Sequence, residues 1–143
     1  ILEPGRSISA NAGIMLAKVE YKKNNFIITN AAMNDLLRPA LYDAHHDVWP
    51  VLKNDNPVSN VNVVGPICET GDFLAKDINI AASENDLLAV KTVGAYGSVM
   101  SSNYNSRPRA AEVLVDKKNF YLIRKREDNS SLTSLEEGLD DQI

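Results

Sequence analysis

The chain has 143 residues, a net charge of −4 at pH 7 and 44% hydrophobic residues, values typical of one globular domain with a sizeable core. Its 15 basic residues are scattered rather than gathered in a stripe, so no nucleic-acid partner is expected. No apolar run approaches the roughly 20 residues of a membrane-spanning helix, so no membrane partner is expected either. The single cysteine cannot form an internal disulfide, which favours a reducing, cytoplasmic location.

The first residues suggest a continuation of a longer protein. Ile1 and Leu2 are apolar, and no initiator methionine precedes them. We therefore expect residues 1–12 to be the remnant of an upstream domain. Within this remnant, residues 7–12 predict one helical turn, because a serine and small residues follow Gly5.

Short strands separated by turns fill most of the remaining chain. Asn-rich or Lys-rich turns join two pairs of these strands into predicted β-hairpins. One short helix is predicted over residues 32–37, ending before Pro39 because the residue before a proline avoids the α region. The predicted strands are residues 14–21, 26–29, 46–51, 61–64, 87–93, 111–115 and 120–126.

This pattern of many short strands with a few helical turns predicts a mainly β fold. We expect a Greek-key-like β-barrel or β-sandwich over residues 13–127. The Ser-rich and acidic residues 128–143 are expected to form a mobile tail.

The segment Glu3-Pro4-Gly5-Arg6 is a candidate anion site. A glycine lets backbone N–H groups approach an anion closely, and a guanidinium binds a carboxylate with two parallel hydrogen bonds. The alternative is a surface turn with a solvated arginine.

A second arginine, Arg38, is stiffened by Pro39 and followed one helical turn later by Tyr42. The pair could clamp a carboxylate by charge and by a hydroxyl, although an arginine at a helix end beside a packed tyrosine is also common in a purely structural role. Nearby, His45 and His46 are adjacent and would point to opposite faces of a strand, so no metal site is expected.

The loop Gly65–Asp72 holds Cys68, the only cysteine, directly beside Glu69. A thiol can deliver a proton and a carboxylate can hold a cation, although a lone cysteine is more often a small buried hydrophobe. Further along, Tyr96 lies between Gly94 and Gly97. Its hydroxyl could point into a cleft and bond a phosphate, or the ring could simply pack.

The residues of these motifs and their order along the chain, together with residues 101–109, resemble those of the diaminopimelate decarboxylases. The resemblance extends from Glu3 to about Arg126. The resemblance implies a pyridoxal-phosphate enzyme with a TIM-like barrel followed by a C-terminal β-domain. Residues 1–12 would then be the last strand remnant of that barrel. The implied reaction, the last step of lysine biosynthesis, converts meso-2,6-diaminopimelate into L-lysine in a homodimer whose subunits share active sites.

The resemblance also implies roles for individual residues. Cys68 matches the family's proton donor, which reaches in from the partner subunit, and Glu69 matches the ligand of the distal amino group. Tyr96 matches a residue that touches both cofactor and substrate. The positions matching the cofactor phosphate segment are Glu3, Pro4, Gly5 and Arg6, and those matching substrate-carboxylate ligands are Arg6, Arg38 and Tyr42.

The family's Schiff-base lysine, its glycine loop for the phosphate and its ring-stacking histidine lie upstream of Ile1. We therefore expect this chain alone to be inactive. One alternative is a related decarboxylase acting on ornithine, arginine or carboxynorspermidine, which would require acidic groups in place of Arg38 and an aspartate after the cysteine. A second alternative is a β-barrel that binds a ligand or partner without catalysis.

Overall fold

The computed structural model describes residues 1–138, in two compact units that divide between Ser101 and Ser102. The first unit contains two short helices and six strands, and the second contains a hairpin and one helix. Single 3-10 turns lie at Ala10–Ala12, Ser98–Met100 and Tyr104–Ser106. The elements are α1 (Arg6–Ser9), β1 (Ile14–Lys23), β2 (Phe26–Thr29), α2 (Arg38–Tyr42), β3 (Val48–Pro50), β4 (Ser59–Val64), β5 (Phe73–Ile80), β6 (Leu87–Lys91), β7 (Glu112–Asp116), β8 (Asn119–Arg124) and α3 (Asn129–Thr133).

The six strands of the first unit form one sheet in the order β3-β6-β1-β2-β4-β5. Every neighbouring pair is antiparallel except β2 and β4, which run parallel. The edge strands β3 and β5 face each other across a cavity of about 470 Å³, lined by Val48–Val51 and Asn79–Ala81 among others. The sheet therefore curls into a nearly closed barrel, and the predicted mainly β fold is confirmed.

Alternating side chains fill the interior of this barrel. Val19, Ile27, Val63, Leu74 and Leu88 are each fully buried. They come from five different strands, so the core depends on the register of the whole sheet rather than on any one hairpin.

Both predicted hairpins and the remaining predicted strands are present, with β3 shorter than expected. The predicted helix over residues 32–37 is wrong: this stretch is a turn, and the helix begins at Arg38 with Pro39 in its first turn. Proline is tolerated there because the first N–H groups of a helix have no partner within the helix. Strand β5 was not predicted, since Lys76 and Asp77 interrupt its apolar pattern where Asp77 adopts a left-handed φ of 52°.

In the second unit, Glu127 organises the segment before β7. Its carboxylate accepts hydrogen bonds from Asn103 Nδ2 at 2.6 Å and from the Arg109 backbone N–H at 2.9 Å. The Arg109 N–H and then the Asn103 amide lower the pKa of Glu127. Asp128 caps α3 by accepting from the Ser131 N–H at 2.8 Å, and hydrogen bonds from Ser130 and Ser131 lower its pKa to about 2.

Part of the predicted mobile tail, residues 128–143, lies outside the described residues, and its mobility stays a prediction. The helix α3 occupies its beginning. Within residues 1–138, every helix is far too short to cross a bilayer.

The β7–β8 hairpin exposes apolar side chains from both strands, including Phe120 and Leu122 at 78% and 59% exposure. We expect the chain of residues 1–143 to self-associate, because contact with another apolar surface removes these side chains from water and so lowers the free energy. Light scattering should show larger particles, and the double substitution Phe120→Ser with Leu122→Ser should reduce them. Leu135→Ser is the control, since Leu135 lies outside the hairpin and is even more exposed, at 95%. A clean monomer at high concentration would contradict this prediction.

Candidate functional site

Backbone hydrogen bonds fasten the start of the chain to the loop after β6. The Gly94 N–H donates to Ala10 O at 3.0 Å, and the Val93 N–H donates to Gly13 O at 3.1 Å. A Cβ on Gly94 would lie only 2.7 Å from Gly13 N, so this close approach requires a glycine. The contact brings the residues around α1 next to the loop that carries Tyr96.

Tyr96 adopts a left-handed backbone conformation with φ of 60°, which is uncommon for a bulky residue. Its hydroxyl lies 2.6 Å from the place where a Cβ on Gly5 would stand. Gly5 is therefore needed for the tyrosine hydroxyl to reach the backbone before Arg6. The predicted turn tyrosine and the predicted anion segment thus meet.

Arg38, the first residue of α2, lies beside two aromatic rings. Its guanidinium carbon is 5.6 Å from the centre of the Tyr42 ring and 5.8 Å from that of Tyr96. Cation–π contacts of this kind contribute about 0.5–1 kcal/mol each at exposed sites and restrict the guanidinium plane. The Arg38 Nε atom is buried and has no hydrogen-bond partner.

His46 joins the same group of side chains and is only 2% exposed. Its Nδ1–H donates to Lys91 O at 2.9 Å, which leaves Nε2 as an acceptor that is buried and without a partner. Burial lowers the pKa of His46 below its ordinary value, and the positive charges of Arg6 and Arg38 lower it further, against the Lys91 carbonyl, which raises it. The imidazole is therefore neutral at pH 7.

We call Arg6, Arg38, Tyr42, His46 and Tyr96 the arginine cluster. In the described part of the chain no carboxylate forms an ion pair with either arginine, and the Nε atoms of both are buried without partners. Two positive charges held together in this way form a site suited to an anion. Sequence reasoning found four of the five members but considered His46 only as a metal ligand.

The loop Gly65–Asp72 between β4 and β5 is a separate feature with its own anchor. The buried carboxylate of Asp72 accepts from the Met33 N–H at 2.7 Å and from the Ile67 N–H at 2.8 Å. These bonds fix the loop while Cys68 and Glu69 remain exposed at its tip. Asp72 was missed as an anchor because sequence alone does not show which acid of a turn is buried.

The structure thus brings together Arg6, Arg38, Tyr42 and Tyr96, with Gly5 beside them, and presents Cys68 and Glu69 on an exposed loop. Glu3 and Pro4 are exposed in a segment without regular secondary structure. Across residues 1–138, no three His, Cys, Asp or Glu side chains are grouped so as to hold a metal ion.

Comparison with known proteins identifies the relatives of this chain. Residues 8–94 match the family model described as the pyridoxal-dependent decarboxylase, C-terminal sheet domain. A diaminopimelate decarboxylase from Vibrio cholerae is 54% identical over 143 residues, which is 97% of this chain and 34% of that protein. The chain thus spans about a third of the length of the curated relatives it matches.

Comparison with solved structures finds relatives with the same name. The diaminopimelate decarboxylase of Helicobacter pylori, complexed with L-lysine, superposes with a TM-score of 0.88 and 42% identity over 99% of this chain and 35% of that one. The diaminopimelate decarboxylase of M. jannaschii, also with L-lysine, gives a TM-score of 0.92 and 37% identity over 100% and 34%. The resemblance inferred from the motifs is confirmed.

Two glycines of the Cys68 loop provide a matched test of its rigidity. A Cβ on Gly65 would lie 2.5 Å from Asp72 Oδ2 and 2.6 Å from Ala32 Cα, whereas one on Gly71 would meet nothing within 4 Å. We expect Gly65→Ala to cost about 1–3 kcal/mol of stability through overpacking and Gly71→Ala to cost little. Thermal melting of the full-length protein measures this, and equal melting midpoints for the two variants would show that the close packing of Gly65 against Asp72 and Ala32 does not constrain the loop.

Proposed function

Because the chain belongs to the pyridoxal-dependent decarboxylase family, whose C-terminal sheet domain it carries, we propose that the full-length protein converts meso-2,6-diaminopimelate into L-lysine. The arginine cluster is the observation that supports this substrate most directly. The relatives named diaminopimelate decarboxylase, two of them crystallised with L-lysine, support it further.

The substrate carries a carboxylate and an ammonium group at each end. One carboxylate is lost and the distal one is retained, so the enzyme must hold the distal carboxylate. Arg6 and Arg38 supply the two guanidinium groups for this, with the Tyr42 hydroxyl as an additional donor. The aromatic contacts of Arg38 orient it before the substrate arrives, which lowers the entropic cost of binding.

The same cluster fits pyridoxal phosphate, which supplies an electron sink for the carbon that loses its carboxylate. The backbone of Glu3-Pro4-Gly5-Arg6 and the Tyr96 hydroxyl would hold the phosphate end. The Tyr96 hydroxyl lies close to the backbone at Gly5, so this hydroxyl and the backbone N–H groups of the segment are donors suited to an anion. Since the cofactor lysine is expected upstream of Ile1, the chain alone should be inactive, with residues 1–12 as the barrel remnant and residues 13–127 as the β-domain.

Cys68 and Glu69 complete the site from the partner subunit of a homodimer. Cys68 Sγ–H gives its proton to the carbon that has lost the carboxylate, and the Glu69 carboxylate holds the distal ammonium. Both side chains are exposed on a loop fixed by Asp72, as a contribution to a neighbouring subunit requires. The enzyme is proposed to act in the cytoplasm.

Decarboxylases of ornithine, arginine or carboxynorspermidine are the alternative within the family. Their substrates lack a carboxylate and an ammonium on one distal carbon, and their distal cations would face two arginines. The positive charge of the cluster therefore favours diaminopimelate. A β-barrel without catalysis would leave the buried, unpartnered Nε atoms of both arginines unexplained.

Substrate choice tests this proposal in the full-length protein. We expect kcat/KM for meso-diaminopimelate to exceed that for ornithine, arginine and carboxynorspermidine by at least about a hundredfold. Arg38→Gln should lower kcat/KM for meso-diaminopimelate about ten- to a hundredfold, as for loss of a charged hydrogen bond. Lys76→Gln is the control, because Lys76 is an exposed cation paired with Asp43 outside the cluster. Faster turnover of ornithine would refute the proposed substrate.

Mixed dimers test the sharing of sites between subunits. Cys68→Ala and Arg38→Gln should each inactivate most of the enzyme. After subunit exchange, about half of the dimers contain one subunit of each variant. If each site combines Arg38 of one subunit with Cys68 of the other, every mixed dimer has one intact site of two. Activity should then recover to about one quarter of the unmodified level. No recovery would place Cys68 and Arg38 in the site of the same subunit.

A further inference from the structure

The arginine cluster holds three buried polar atoms without partners: His46 Nε2, Arg6 Nε and Arg38 Nε. The imidazole atom is an acceptor, and both arginine atoms are donors. Native proteins rarely leave complementary groups of this kind buried and unpaired, so this arrangement requires an explanation. A hydrogen bond between the acceptor and one of the donors would satisfy both.

The backbone fixes which nitrogen of His46 is the acceptor. The Nδ1–H donates to Lys91 O at 2.9 Å, and the Lys91 N–H in turn donates to Asp47 O at 2.8 Å. This pair of bonds holds the residues just before β3 against the end of β6. Nε2 therefore keeps a lone pair without a partner. Burial, and after it the positive charges of Arg6 and Arg38, lower the pKa of the ring and so disfavour a second proton on it.

The two arginines differ in how they are held. Arg38 lies against the rings of Tyr42 and Tyr96, whereas none of the cation–π pairs among the described residues involves Arg6. Of the two guanidinium groups, Arg6 also has the stronger electrostatic effect on His46. The arginine that lacks an orienting ring is thus the one that acts more strongly on the unpaired acceptor.

We propose that His46 is a positioning residue: its Nε2 accepts a hydrogen bond from the Arg6 Nε–H and thereby aims the Arg6 guanidinium at the distal carboxylate. This inference rests on the proposed function and deepens it. The terminal amino groups of Arg6 stay available to the substrate, because only its Nε is used. Loss of the bond weakens binding of the carboxylate, while the reacting carbon at the other end of the substrate is unaffected.

Two substitutions separate the acceptor from the rest of the imidazole. In His46→Gln the amide oxygen can stand near the position of Nε2, whereas in His46→Asn the shorter amide can replace only Nδ1. In the full-length protein, we expect H46N to raise KM for meso-diaminopimelate about tenfold with kcat nearly unchanged, and H46Q to stay within about threefold of the unmodified enzyme. H46N with an unchanged KM, or the two variants with equally raised KM, would overturn the inference.

Equilibrium binding of pimelate separates this inference from the proposed reaction. Pimelate has the chain length and both carboxylates of diaminopimelate but no amino groups, so it is not a substrate. Calorimetry should give a dissociation constant about tenfold higher for H46N and within about threefold for H46Q. If the unmodified protein binds pimelate in this pattern yet does not decarboxylate diaminopimelate, only the proposed function fails. If the unmodified protein does not bind pimelate, the inference fails.

A crystal structure of the unmodified full-length protein with pimelate gives a readout that does not depend on the variants folding. His46 Nε2 should lie within about 3.2 Å of Arg6 Nε, the range of a hydrogen bond. A separation beyond about 4 Å with pimelate bound would overturn the inference.

Discussion

The candidate site depends on holding two like charges close together in a partly buried place. Arg6 and Arg38 repel each other, and removal from water costs free energy for each of them. Aromatic faces beside Arg38 and a neutral imidazole nearby reduce this cost without cancelling the positive charge. A carboxylate partner from the same chain would have cancelled the charge, and the cluster would then have no use for an anionic ligand.

The barrel supplies the geometry that keeps these charges in place. Arg6 and Arg38 are 32 positions apart in sequence, and Tyr96 is 58 positions beyond Arg38. Hydrogen bonds between residues 10–13 and 93–94 bring the two ends of the first unit together. Since the loop after β6 carries Tyr96, the sheet register that fixes β6 against β1 also fixes the distance between the tyrosine and Gly5.

The Cys68 loop is held by hydrogen bonds to a buried carboxylate rather than by aromatic contacts. Its anchor, Asp72, satisfies two backbone N–H groups with one buried carboxylate, so the loop keeps its shape although its tip is exposed. A rigid, exposed loop can present reactive groups to another subunit without a large ordering cost on assembly. In the proposed enzyme, such a loop would let one chain bind the distal carboxylate while another delivers the proton.

Local patterns of the sequence were enough to predict the strand-rich fold and the hairpins and to propose most of the candidate site residues, because turn chemistry, β-branched runs and short motifs are local properties of the chain. It failed for the helix at Arg38 and for β5, where a first-turn proline and a bulge break the local rules. The three-dimensional packing was needed to show that His46 is buried where two arginines act on its charge and that Asp72 is the buried acid of its loop. Burial and the partners of a polar atom depend on residues distant in sequence, and no local pattern of the chain records them.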